Sequence, residues 1–290
     1  MDKSNLKQKI HIYNDTTMLG HYLAGLWEGD GNVNIKDKNY PKPTIHITLH
    51  RQQAPCAKQL LALLSHLCND PVGSVHIRND NNSCVLNIYT PRGLQFVVGL
   101  IQHKLRTPKA FHLNPIIDWL NHKDPTFNCS PISSVSDFNL STPWFAGFCD
   151  ADGSFGIDLS YKGRLKVSCQ FQINQRKIDP RSGLSYHKLF SKIANALEVN
   201  LHSIIETRSE RGYYAIKATS NKSKDILRKY FDLYPLLTSK FLDYKSWCAA
   251  DNLVRDKKKN RATYLEQIQF LKKGMNKNRS SFTWNHLPHI

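Results

Sequence analysis

No cysteine pair in this chain has C-x-x-C spacing, although seven cysteines occur, Cys56, Cys68, Cys84, Cys129, Cys149, Cys169 and Cys248. An odd, unpaired set argues against a disulfide framework or a zinc site and for reduced thiols inside a cell or organelle. Long apolar runs are missing too: none approaches the 18 residues of a membrane helix, and no long basic amphipathic helix dominates. The opening stretch, MDKSNLKQKIHIYND, has no apolar core for a signal peptide and is too acidic for a good transit peptide. A protein of this kind working in an organelle, mitochondrion or chloroplast, is expected to be made there. Negative charge is the other scarcity. Asp plus Glu number 23 against 40 Lys plus Arg, a formal net charge of +17 in 290 residues. Such a surplus points to a polyanionic partner, nucleic acid first, with a merely soluble or ribosome-like basic protein as the bland alternative. A hydrophobic content of 40% and a charged content of 22% exclude disorder as the default.

What is present is a repeat. LAGLWEGDGNVNI at 23–35 and FAGFCDADGSFGID at 145–158 are similar, and each heads the same succession of elements. The first is followed by strands at 32–36 and 44–50, a helix at 54–67, strands SVHIRN and CVLNIYT, and helices near 92–103 and 108–121. The second is followed by strands SFGIDLS and 165–174, a helix at 186–197, strands SIIETR and YYAIKAT, and helices near 222–232 and 239–253. The expected fold class is therefore α+β, with two pseudo-symmetric α-β-β-α-β-β-α halves. The expected boundaries are 16–122 for the first half, 142–254 for the second, a Ser-, Pro- and Asn-rich linker at 123–141, and a basic extension at 255–290. That extension carries RDKKKNR and an apolar-periodic YLEQIQFL whose role the sequence leaves open.

The strands alternate. Ile45, Ile47 and Leu49 oppose Thr44, His46, Thr48 and His50, while Val167, Cys169, Phe171 and Ile173 oppose Lys166, Ser168, Gln170, Gln172 and Asn174. One face of an antiparallel sheet on helices and the other in solvent produces this pattern. A plain solvated face is the simple explanation, but Asn, Gln, Arg, Lys, Thr and His are the side chains that read base edges in a DNA groove.

The two acidic motifs place carboxylates at helix C-termini, where the macrodipole is already negative. Small residues, Ala24, Gly25 and Gly29 in one copy and Ala146, Gly147 and Ala151 in the other, leave a bare helix face on which two backbones can approach. Packed in parallel, such helices bring Asp30 and Asp152 together. Carboxylates about 4 Å apart repel by roughly 4 kcal/mol at an effective dielectric of 20, so the arrangement needs a cation. The carbonyls of Gly29 and Ala151 could add oxygen ligands, a donor set suited to Mg²⁺ with Mn²⁺ as a substitute. Against this stands an ordinary helix cap, because glycine after a helix end is the commonest C-cap and Gly31 and Gly153 alone imply nothing. An EF-hand is excluded: Phe155 and Tyr161 stand where its glycine and glutamate are required.

LAGLWEGDG (23–31) and FAGFCDADG (145–153) resemble the two motifs of a single-chain LAGLIDADG homing endonuclease, and the resemblance covers roughly 16–253. It implies that the motif helices form the interface between the halves, and that each sheet forms one side of a saddle on the DNA major groove. The final acids, Asp30 and Asp152, then bind catalytic divalent cations, whereas Glu28 and Asp150 are expected to be local structural or cap residues. The family's polar residue at the end of each second strand matches Gln175 in the second half. In the first half the best alignment is Arg51, a departure. Its late-helix lysine matches Lys109 and Lys240, each an ordinary surface charge on the bland reading.

Candidate base or phosphate contacts in the first half are Asn32, Asn34, Lys36, His46, Thr48, His50, His76 and Arg78. Those in the second are Ser154, Lys166, Ser168, Gln170, Gln172, Asn174, Arg208 and Lys217. The implied activity is metal-dependent double-strand cleavage of a long asymmetric DNA target by a monomer. The alternative is an RNA maturase acting on its host intron RNA; a silent DNA-binding module has no use for two facing acids.

Overall fold

The computed structural model describes residues 11–35, 42–162, 164–205, 212–256 and 261–287. Helix α1 (Thr16–Asp30) starts where the Asp15 carboxylate accepts from Met18 N at 2.9 Å, and it runs straight into β1 (Gly31–Ile35). The cap residue Gly31 is extended, φ −83° and ψ 163°, so the helix ends in a direct helix-to-strand junction. After β1 come β2 (Pro43–His50), α2 (Ala54–Cys68), β3 (Gly73–Arg78), β4 (Ser83–Ile88) and α3 (Pro91–Ile101). The helix expected near 108–121 divides into a 3-10 helix, Pro108–Leu113, and α4 (Asn114–Lys123). Proline at the head of each piece removes an N–H, which favours two starts over one continuous helix.

Residues 124–143 cross without a helix or strand, tied down by Asn121 Nδ2 donating to Cys129 O (2.7 Å) and Asn114 Nδ2 to Ile132 O (3.0 Å). The second half then repeats the order: α5 (Trp144–Asp152), β5 (Gly153–Lys162), β6 (Arg164–Arg176), α6 (His187–Ala196), β7 (Leu201–Ile205), β8 (Gly212–Ala218), α7 (Asn221–Leu233) and α8 (Lys240–Arg255). Helix α9 (Arg261–Lys273) follows. Both sheets are antiparallel with the same spatial order, β1-β2-β4-β3 and β5-β6-β8-β7. Alternation puts Ile45, Ile47, Leu49, Cys169, Phe171 and Ile173 against the helices, each 3% exposed or less. The fold is α+β with two matching sheets.

What joins the halves is the pair α1 and α5. A Cβ on Gly25 would lie 2.0 Å from the Trp144 carbonyl oxygen, and one on Gly147 would lie 1.9 Å from that of Tyr22. Only hydrogen fits at either place, so the small-residue stripes seen in the sequence are where two backbones touch. Trp27, Trp144, Phe145 and Phe148 pack around this contact with essentially no exposure. All seven cysteines are free. Among the described residues no helix is long and apolar enough to cross a membrane.

Candidate functional site

Parallel packing of α1 on α5 carries their C-terminal ends to one place. A Cβ on Gly29 would lie 2.1 Å from the Ala151 Cβ and 3.3 Å from Asp152 Oδ2, so the last turns are in contact and the Asp152 carboxylate lies beside the end of the other helix. Asp30 is pushed up to about 6, first by burial and further by the Asp152 charge, while Lys240 and Lys109 oppose the shift. Burial also raises Asp152, against Lys240, Lys109 and Arg176. Two carboxylates, both displaced toward the protonated form, thus lie near one another and within the influence of the same two lysines.

Each lysine is fixed on the carbonyl end of a motif helix. Lys109 Nζ donates to Gly29 O at 2.9 Å, and Lys240 Nζ donates to Ala151 O and to Cys149 O, the latter at 3.2 Å. The two carbonyls expected to face a metal therefore accept from lysines; each oxygen keeps a second lone pair. Burial lowers Lys109 from the ordinary lysine value, with Asp152 and Asp30 pulling it back up. Gln175 Nε2 donates to Asp152 Oδ2 at 3.2 Å, which brings a third side chain from the sequence set into the same cluster.

Arg51 is not brought there. It opens the 3-10 turn Arg51–Gln53 beyond β2, its N–H donates to Asn82 O, and its side chain is exposed. It is not among the charges that shift either aspartate, whereas Arg176 acts on Asp152. The sheet register explains the difference. Gly31 pairs with Ile47 and Gly153 with Ile173, so two residues further on Leu49 holds the lattice position of Gln175. Aligning ITLHR with FQINQ displaces the first half by two residues, and the true counterpart is a buried leucine.

Glu28 and Asp150 correct a second expectation, since neither is a local cap. Glu28, 1% exposed, accepts from the N–H groups of Arg106 (2.9 Å) and Thr107 (2.5 Å) and from Trp144 Nε1 (2.6 Å). Burial raises it to about 7 in spite of these donors. Asp150 accepts from Leu237 N (2.7 Å), Thr238 N (3.3 Å), the Thr238 hydroxyl and Tyr22 Oη (2.8 Å). Thr107 Oγ1 and Thr238 Oγ1 in turn accept from Lys109 N and Lys240 N, each at 3.2 Å. The inner acid of each motif thus anchors the turn that delivers the lysine. Partners 78 to 88 residues away leave no signal in a local spacing pattern.

The polar strand faces form rows across each sheet. Asn32 pairs with His46, His46 with Asn87 and Asn87 with Ser74; in the second half Ser154 pairs with Gln172 and Gln172 with Lys217. Asn32, Thr48, His50, His76 and Arg78 are exposed, as are Ser154, Lys166, Asn174 and Lys217; Asn34, His46, Ser168, Gln170 and Gln172 are half-buried. Asn87, Ser74 and His202, opposite Ala215 in the Asn174 row, extend these faces beyond the residues singled out from sequence. Lys36 and Arg208 lie outside the described residues. Local contacts set some orientations: Gln172 Nε2 donates to Asn174 Oδ1 (3.0 Å), and His46 Nε2 meets Thr44 Oγ1 (2.6 Å).

Comparison with known proteins agrees with this geometry. The family model described as LAGLIDADG endonuclease matches residues 145–250. A "Probable intron-encoded DNA endonuclease aI1" of Mycosarcoma maydis is 30% identical over 119 residues, covering 41% of this chain and 95% of that protein. The chain belongs to the LAGLIDADG endonuclease family. An "Intron-encoded DNA endonuclease aI3" of Saccharomyces cerevisiae is 28% identical over 308 residues, covering 93% of this chain and 72% of that one. The fold matches the crystal structure of the I-LtrWI LAGLIDADG homing endonuclease bound to target DNA, with a TM-score of 0.69 at 16% identity over 91% of this chain and all of that chain. In this LAGLIDADG chain the motif helices are α1 and α5, and the two terminal motif acids are the carboxylates that meet.

Proposed function

We propose that this chain is a site-specific double-strand DNA endonuclease that hydrolyses phosphodiesters with divalent-metal help, Mg²⁺ being the ion that suits the donors and Mn²⁺ a substitute. One observation carries it: Asp30 and Asp152 meet at the touching ends of α1 and α5, flanked by Lys109, Lys240 and Gln175. The fit to a hard cation rests on the crowding itself. Two half-buried acids that burial drives toward protonation are relieved by a dication, and oxygen donors are what Mg²⁺ takes. When bound, the ion would polarise the phosphoryl group, acidify a water and steady the leaving oxygen.

The residues of the chain supply the rest. Asp30 and Asp152 would hold the ion. Gln175, donating to Asp152 Oδ2 while its own Oε1 accepts from Arg176 N at 2.9 Å, orients that carboxylate. Lys109 Nζ and Lys240 Nζ, pinned on helix carbonyls, place positive charge where the phosphorane develops negative charge. The polar rows of the two sheets would read bases while Lys and Arg neutralise phosphates, so affinity should fall steeply with salt. Because the two faces differ in sequence, the target should be asymmetric, and a chain that contains both halves acts as a monomer. Intron-encoded relatives support an organellar setting for it.

Cleavage assays on selected target DNA test the proposal. Asp30→Asn or Asp152→Asn should each abolish double-strand cleavage while DNA binding stays measurable; an enzyme that still cuts both strands with both changes present refutes the assignment. Excess EDTA should stop cleavage, and added Mg²⁺ should restore it.

A further inference from the structure

The two lysines of the site are supported differently, and the difference exposes a role for the C-terminal segment. In the first half His112, three residues after Lys109, meets Asp179 across the interface, Nε2 to Oδ2 at 2.8 Å. Asp179 follows β6 of the opposite half, so the turn that bears Lys109 is held by a side-chain hydrogen bond between halves. The corresponding position after Lys240 is Asp243, 5% exposed in the first turn of α8. By pseudo-symmetry its partner should come from the loop after β2, but that side of the cleft presents His50, Gln52 and Gln53.

The tail supplies the partner, with the polarity reversed. Arg279 donates to Asp243 Oδ1 through Nε (3.1 Å) and Nη2 (2.8 Å), and Asn276 N donates to the same oxygen at 3.1 Å. Asn276 Nδ2 also ties the segment to Phe155 O of β5 at 3.0 Å. Further along, His286 stacks on Phe241 with ring centroids 4.4 Å apart, and its Nε2 lies 3.1 Å from Leu237 O. Leu237 is the residue whose N–H donates to Asp150. The 237–240 turn is therefore held on one side by the motif acid and on the other by the tail. Met275, His286 and Leu287 are buried in this position, each 8% exposed or less.

We propose that residues 275–287 are a positioning element for Lys240, and that Arg279 is a positioning residue doing for the second half what the partner loop's Asp179 does for the first. The proposal rests on the role given above to Lys240. It reaches beyond the stretch covered by the family model, which ends at 250.

The experiment is single-turnover cleavage by the full chain, with each DNA strand labelled separately, alongside a DNA-binding titration. Arg279→Ala should slow cleavage by about tenfold to a hundredfold, the loss typical of a misplaced catalytic group. DNA affinity should stay near that of the unmodified protein, and the strand profile should match that of Lys240→Ala. Arg279→Lys should recover part of the rate. In a Lys240→Ala background, Arg279→Ala should cost nothing further, because it acts through the lysine already removed. Additive losses in that double variant, or a loss confined to DNA binding, overturn the proposal. Should Arg279→Ala fail to fold, His286→Ala leaves the ion pair intact and must show the same non-additivity with Lys240→Ala. If Asp30→Asn and Asp152→Asn abolish cleavage while Arg279→Ala and His286→Ala change nothing, only the positioning role falls. Survival of cleavage in the aspartate variants instead removes the nuclease assignment itself.

Discussion

Replacing Gly147 by alanine adds a single methyl group where α5 meets α1, and the structure fixes what must follow. The new Cβ would stand 1.9 Å from Tyr22 O and 2.8 Å from Leu26 N, both backbone atoms that no rotamer change can move. An ordinary carbon-to-oxygen contact needs about 3.3 Å, so the helices must open locally by about 1.4 Å. Overpacking of a close interface costs about 1–3 kcal/mol, and alanine's better helix propensity returns about 1 kcal/mol. A net loss of about 0–2 kcal/mol corresponds to a melting temperature lower by up to roughly 4 °C in a protein of this size. The same opening lies one and a half turns before Asp152 and separates the two carboxylates. A displacement of about 1 Å at reacting groups can cost about a hundredfold in rate. Thermal unfolding followed by circular dichroism, together with single-turnover cleavage, should therefore show a small stability loss beside a large activity loss. Gly99→Ala is the control: its Cβ would meet nothing within 4 Å, and it should stabilise slightly without touching cleavage. Full activity and an unchanged melting temperature in Gly147→Ala would refute the reasoning that backbone contact sets the carboxylate geometry.

Asp150→Ala strips the acceptor from Leu237 N, Thr238 and Tyr22 in a fully buried place, and should cost about 3–5 kcal/mol in urea unfolding; a loss near zero would mean water replaces the carboxylate. His21, lowered to about 4 first by burial and then by Arg106 and Lys104, stays neutral in the folded chain while the unfolded chain protonates near 6.5. A depressed folded value means stability present above pH 6.5 and lost as pH falls toward 4, so His21→Leu should flatten the fall in melting temperature over that window relative to the unmodified protein. Gln175→Leu should slow cleavage with little change in DNA affinity, because it removes the hydrogen bond to Asp152 and gives the second half the leucine that the first half has at Leu49. Equal rates for the two proteins would remove Gln175 from the site.

The parts of this protein legible in the sequence are those written in short-range patterns. Alternation in 44–50 and 166–174 gave the sheet faces, because side chains on a strand point to opposite sides with period two. Duplication of the motif gave the helix pair, and the small residues gave its contact face. Long-range partnerships were not legible. Glu28 holds the Arg106 and Thr107 amides and Asp150 those of Leu237 and Thr238, and nothing near either acid names these partners. Arg51 was misplaced for a different reason: the residue string ITLHR matches FQINQ, but strand register is set by pairing with β1, which puts Leu49 at that point. The tail was opaque because MNKNRSSFTWNHL carries no periodic pattern, and its partners Asp243, Phe241 and Leu237 lie 36 to 49 residues away.

The two acids of each motif divide the work in a way that explains their spacing. Two residues apart at the end of a helix, they point in different directions around its axis, since successive residues turn by about 100°. The inner acid, Glu28 or Asp150, faces inward and captures the backbone of a late turn. The terminal acid, Asp30 or Asp152, sits at the contact between α1 and α5, where the Asp152 carboxylate lies beside Gly29 and its charge raises Asp30. The captured turn carries the lysine, whose ammonium then returns to the carbonyl end of the same motif helix. One helix end thus fixes an acid directly and a lysine through a loop, which couples the positions of the two. Exchanging the order of the acids, with the longer glutamate placed last, would keep the charge but break both geometries. That is why a motif this short can specify a carboxylate and lysine cluster and the interface beneath it together.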